Sequence, residues 1–92
     1  MIIRILGEGQ FSVDDAAVAE LNDLDAELAD AVKRGDEAVF RRALSGLLSR
    51  VRAAGTPVPP DNLGPSELIL PYEDADLSEV RKLMTDEGLI PG

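Results

Sequence analysis

Over the first thirteen residues the apolar positions follow a strand-like pattern, and from there to residue 54 they recur every three or four residues. Ile2 to Leu6 is rich in isoleucine and reads as a strand, and Gln10 to Val13 as a second, joined by Gly7-Glu8-Gly9. A three-residue loop over Gly7 to Gly9 pairs Leu6 with Gln10, Ile5 with Phe11, Arg4 with Ser12 and Ile3 with Val13. Ile3, Ile5, Phe11 and Val13 then share one face, and Arg4, Gln10 and Ser12 the other. A slip of one residue would turn a whole strand over. In this hairpin Gly9 takes the left-handed conformation.

Val18, Leu21, Leu24, Leu28 and Val32 form a helical stripe over a segment capped by Asp14 or Asp15 and running to about Arg34. Gly35 suits the position after a helix end and Asp36 the cap of the next helix. That second helix runs from about Glu37 to Ala54, with Phe40, Leu44, Leu47, Leu48 and Val51 inward, and Gly55 ends it. So short a connection implies an antiparallel helical hairpin. The proline-rich run from Thr56 to Pro65 reads as an irregular link. Leu68-Ile69-Leu70 is a short third strand closed by Pro71. Asp76 and Glu79 then cap a short helix with Leu77, Val80, Leu83 and Met84 inward, and Gly88 makes the last turn.

These elements imply an α+β fold. An N-terminal β-hairpin plus a short third strand packs against an antiparallel helical hairpin and a short C-terminal helix. With 92 residues the chain forms a single domain, 1–92. Its aromatics are Phe11, Phe40 and Tyr72, so the core is aliphatic.

Composition narrows the chemistry. There is no Cys and no His, which removes disulfides, thiolate metal sites, the usual zinc ligand and the usual general base. A net charge of −9 repels nucleic acid and anionic lipid alike. No apolar run approaches the ~20 residues of a membrane span, and the N-terminus is too short in apolar residues for a signal peptide. A reduced, cytoplasmic setting follows, with neither nucleic acid nor direct membrane insertion expected.

Three motifs invite a ligand and fall short. Gly7-x-Gly9 lacks the third glycine of a dinucleotide loop, where Ser12 stands, and leads into a strand instead of a helix. Asp74-x-Asp76-x-Ser78 opens like a calcium loop, but Glu79 and Thr85 occupy the positions of its glycine and last glutamate. Asp23-x-Asp25-x-Glu27 lies within a helix, where alternate residues face apart. With no positioned nucleophile or base, the expectation is no enzyme, no metal and no cofactor.

The charge layout says more. Asp14, Asp15, Glu20, Asp23, Asp25, Glu27 and Asp30 form an acidic block without one basic residue. Lys33, Arg34, Arg41, Arg42, Arg50 and Arg52 then hold six of the nine basic residues. Two solvated faces attracting each other across the hairpin explain this without function. The functional alternative is that Arg41, Arg42, Arg50 and Arg52 partly face out and meet an acidic partner. On a helical wheel Arg42 lies opposite the apolar stripe, and the other three flank it. Asp25 falls between Val18 and Leu21 on its own wheel, so it is expected to be buried and paired with Arg41, Arg50 or Arg52.

Both ends resemble a known family. Met1-Ile2-Ile3-Arg4-Ile5-Leu6-Gly7-Glu8-Gly9-Gln10-Phe11 and Asp86-Glu87-Gly88-Leu89-Ile90-Pro91-Gly92 are similar to the PspA-associated (PspAA) domain, as is Pro65-Ser66-Glu67-Leu68-Ile69-Leu70-Pro71. Members are encoded beside PspA, a coiled-coil protein that remodels membranes in the phage shock, or envelope-stress, response. The resemblance implies an accessory role by protein binding, to PspA or a partner of it, with any membrane localisation arising through that partner. A homodimer through an open sheet edge is the alternative partner, and a small-molecule-sensing regulatory domain the alternative function.

Overall fold

Two aspartates set where the long helices begin. In a computed structural model, which describes residues 1–59, 66 and 68–83, the Asp14 carboxylate accepts from the Ala17 N–H at 2.9 Å and opens α1 (Asp15–Arg34). Asp36 accepts from the Val39 N–H at 3.1 Å and opens α2 (Glu37–Ala54). Between them Gly35 adopts φ 69°. The Gly35 N–H donates to Val32 O and the Asp36 N–H to Ala31 O, the double bond of a Schellman ending. Asp36 thus closes one helix with its backbone and opens the next with its side chain. The helical hairpin and both its boundaries agree with the sequence.

The β-hairpin keeps the expected faces but not the expected pairing. β1 (Ile2–Ile5) and β2 (Gly9–Ser12) are antiparallel, with Ile3 opposite Phe11 and Ile5 opposite Gly9. The loop is therefore Leu6-Gly7-Glu8, one residue earlier than expected, and the ladder is shifted by two. Because the shift is even, Ile3, Ile5 and Val13 remain buried and Arg4 and Ser12 exposed. Two local facts select this register. The Glu8 N–H donates to Ile5 O with Gly7 at φ 85° and Gly9 at φ 108°, so both glycines supply a positive φ. The ladder also gains a pair at its open end, where Met1 and Val13 exchange hydrogen bonds of 2.7 and 2.8 Å.

The sheet has four strands, one more than the sequence implied. β3 (Thr56–Pro57) pairs antiparallel with β2, and β4 (Leu68–Leu70) pairs parallel with β1, giving the order β3-β2-β1-β4. The start of the proline-rich run is thus a strand, recruited by the Val58 N–H donating to Gln10 O at 2.9 Å.

Both edges carry prolines where a donor would point outward. Val58 faces β2, so by the strand period Pro57 and Pro59 face away from the sheet and offer no N–H. On the other side Leu70 O accepts from the Leu6 N–H, which turns Leu70 toward β1 and leaves the outward positions to Ile69 and Pro71. Of the outward positions 57, 59, 69 and 71, only Ile69 retains a donor.

One face of this sheet packs on the helices. Ile3, Ile5, Val13, Leu68 and Leu70 join Leu21, Leu28, Phe40, Leu44 and Leu48 in a single core. α3 (Leu77–Leu83) adds Val80, its start capped by Asp76, whose carboxylate accepts from the Glu79 N–H at 2.8 Å. Arg81 ties it to the end of α1 by donating to Val32 O at 2.7 Å. Leu83, expected inward, is 52% exposed. Met84 and the Gly88 turn lie outside the described residues.

Candidate functional site

Of the four arginines expected to meet a partner, three are fastened within the chain. Arg41 donates to Glu73 O at 2.8 Å and Ala75 O at 2.9 Å, and its guanidinium lies 5.1 Å from the Phe40 ring centre. Arg50 reaches across to Glu20 on α1 at 2.9 Å. Arg52 joins three segments, donating to both carboxylate oxygens of Glu8 in the hairpin loop and to Glu73 before α3. That hydrogen-bonded guanidinium holds the Glu8 carboxyl below its ordinary range, and Glu8 in turn raises the pKa of Arg52. Of these contacts only Arg50–Glu20 is the attraction across the helical hairpin that the sequence suggested; Arg41 and Arg52 instead reach the β1–β2 loop and the segment before α3.

Asp25 is buried, at 2% exposure, as its wheel position implied. The three arginines considered for it make the contacts just described. Asp76, the middle acid of the calcium-like run, is a helix cap. Its carboxyl is held low, chiefly by the Glu79 backbone N–H and then by the Ser78 hydroxyl.

Arg42 differs from the other three. It is exposed and makes no ion pair among the described residues. It stands on the rim of a groove of about 570 Å³ that runs between the two helices. Leu24, Glu27, Asp30 and Arg34 of α1 form one wall, and Val39, Arg42, Ala43 and Gly46 of α2 the other. Arg34 is drawn onto Asp30 at 3.0 Å, four residues back along its own helix. Leu24 and Val39 are half-buried against the core and Ala43 is buried, so the floor is apolar. Gly46 opens the groove further: a Cβ built there meets no atom within 4 Å.

A family comparison bears on what such a surface is for. The family model described as PspA-Associated protein matches residues 1–92. The chain belongs to the PspA-associated protein family. No curated protein and no solved structure matches it. Within this family member no described helix is long and apolar enough to cross a membrane, and no group of three or more acidic side chains among the described residues converges as a metal would require.

The groove was less visible in the sequence than the arginines. One signal for it was present. Gly46 interrupts a run of good helix formers at a position where helix propensity selects against glycine by about 1 kcal/mol.

Proposed function

We propose that this protein is a non-catalytic accessory protein of the envelope-stress response that binds a PspA-type coiled coil, or a partner of it, in the cytoplasm. Membership of the PspA-associated family across the whole chain carries this reading. The surface adds to it. An α+β domain can recruit another chain either by extending its sheet or by presenting helices. Among the described residues, three of the four outward edge positions lack a donor because they are prolines, which disfavours the first route. The helical hairpin, with an apolar groove and a charged rim, favours the second.

The net charge of −9 sets a second constraint. Direct attraction to anionic lipid runs against it, so membrane localisation would come through the partner. Isothermal titration of the purified protein with purified PspA from the same host tests the reading. Saturable binding at micromolar concentration is expected. Heatless mixing, confirmed by elution as two separate species on a sizing column, would sink it.

A further inference from the structure

The groove between α1 and α2 has a shape and charge that select one kind of occupant. Val39, Arg42, Ala43 and Gly46 follow the i, i+3, i+4, i+7 spacing of one helix face. Opposite them the wall from Leu24 to Arg34 spans ten residues, or about 15 Å at the rise of an α-helix. That accommodates between two and three turns of a third helix lying along the hairpin. Small side chains at Ala43 and Gly46 allow such a helix to approach closely, with Leu24 and Val39 as apolar contacts on either side.

The rim is asymmetric. On the α1 side Glu27 is exposed and has no ion-pair partner among the described residues, and Asp23 extends the same acidic surface one turn earlier. On the α2 side stands Arg42. Arg34, which could have neutralised the acidic wall, is held by Asp30 and lies 4.0 Å from Asp36. A docked helix is therefore met by negative charge along one flank and a positive charge along the other.

Gly46 is the residue that folding alone does not explain. No described residue comes within 4 Å of a Cβ built at Gly46, so the packing of the described residues requires no glycine there, and an exposed helix centre is where glycine is least favourable. The missing side chain leaves room for something that enters the groove.

We propose that this groove receives one amphipathic helix of a coiled-coil partner. Its apolar stripe lies on Leu24, Ala43 and Gly46, its basic flank lies along Glu27, and an acidic residue faces Arg42. The inference rests on the reading of the protein as a binder of a PspA-type coiled coil and names the surface and the partner chemistry. It replaces the acidic partner implied by four free arginines with one whose two flanks carry opposite charge.

Gly46→Gln tests it without threatening the fold, because glutamine is the better helix former and its side chain fills open space. Titrated with the host's purified PspA, Gly46→Gln should bind at least tenfold more weakly than the parent, with a melting temperature unchanged or raised. Arg42→Glu should weaken binding severalfold and alter its salt dependence, and Ile69→Gln, on the far face of the sheet, should bind as the parent does. If the parent binds and Gly46→Gln binds equally well, the groove is overturned while the adaptor reading stands. If Ile69→Gln is the variant that loses binding, the sheet face is the contact and the groove is again overturned. If the parent itself does not bind, the adaptor reading falls and the groove falls with it.

Discussion

Gly7 lies against the ring of Tyr72, so close that a Cβ on Gly7 would stand 2.8 Å from Tyr72 Cε1. The loop glycine therefore meets two constraints, a φ of 85° and the approach of a side chain 65 residues away in sequence. Gly9, at φ 108°, has only the first among the described residues, none of which lies within 4 Å of its Cβ position. Gly7→Ala should cost roughly 1–2 kcal/mol from backbone strain, plus whatever displacing the half-exposed Tyr72 ring adds. Gly9→Ala should cost the strain alone. Urea denaturation of both variants, and of Gly7→Ala combined with Tyr72→Ala, separates the two contributions. Equal costs for the two glycines, with no relief from Tyr72→Ala, would show that the ring yields freely.

Asp36 should be the more revealing of the two long-helix caps. Asp36→Ala removes the acceptor for the Val39 N–H but keeps the backbone bond from Asp36 to Ala31 O, so α1 keeps its ending while α2 loses its start. A loss of about 1 kcal/mol is expected, which for a domain of this size lowers the melting temperature by roughly 4–8 °C. Asp36→Asn should restore most of it. A deficit that asparagine fails to recover would point to the charge of Asp36, near Arg34, and away from the cap.

What the sequence makes legible here is what is decided locally. Asp14, Gly35 and Asp36 announce the helix boundaries because a cap needs only its own turn, and the structure places all three as the residues imply. The faces of the β-hairpin were legible because burial follows a period of two. Its pairing was not, since Gly7-Glu8-Gly9 supports a loop at either of two positions. The choice depends on the Glu8 to Ile5 bond and the extra Met1–Val13 pair. β3 was hidden for a different reason. Strand propensity argues against Thr56-Pro57, and only a partner strand with an accepting Gln10 O makes it one. The arginine contacts were hidden because each joins elements that are distant in sequence, as Arg52 does with Glu8.

Acid should loosen the Arg52 junction. Glu8 has a folded pKa below its unfolded one, so its contribution is present above the unfolded value, near 4.3, and is lost as pH falls through the lower folded value. Asp76 acts in the same sense. The informative measurement is therefore the difference between the parent and Glu8→Gln, by thermal melting from pH 6 to pH 3. At pH 6 the variant should be less stable by under about 1 kcal/mol, as befits a partly exposed ion pair, and the two curves should converge toward pH 3. A gap that stays constant with pH would mean that Glu8 contributes packing and no charge.

Gly46→Ala should stabilise the free protein. The site is exposed, mid-helix and open around its Cβ, so the expected gain is up to about 1 kcal/mol. Chemical denaturation measures it directly. A loss of stability would mean that α2 is locally distorted at this residue, and the case for an empty groove floor would weaken with it.

The edge prolines should act as guards against self-pairing. Along the β3 edge the described outward positions are Pro57 and, just past the strand, Pro59, both exposed, so an approaching strand finds no N–H there to accept from. Pro57→Thr with Pro59→Val restores two outward donors and supplies residues with high strand propensity, while Val58 keeps its bond to Gln10 O. Charge is the competing safeguard, because two copies at −9 each repel one another. Sedimentation velocity at low ionic strength and again near 0.5 M salt distinguishes them, since added salt shortens the screening length to a few ångströms. The parent should remain monomeric in both conditions, and the double variant should dimerise at high salt. A parent that dimerises once its charge is screened would show that repulsion, and not proline, keeps the copies apart. A double variant that stays monomeric in both would show that the edge is too short to pair, whatever donors it carries. Pro71 serves the same end at β4 but is buried, so its replacement would confound edge exposure with packing, and the exposed pair on β3 gives the cleaner answer.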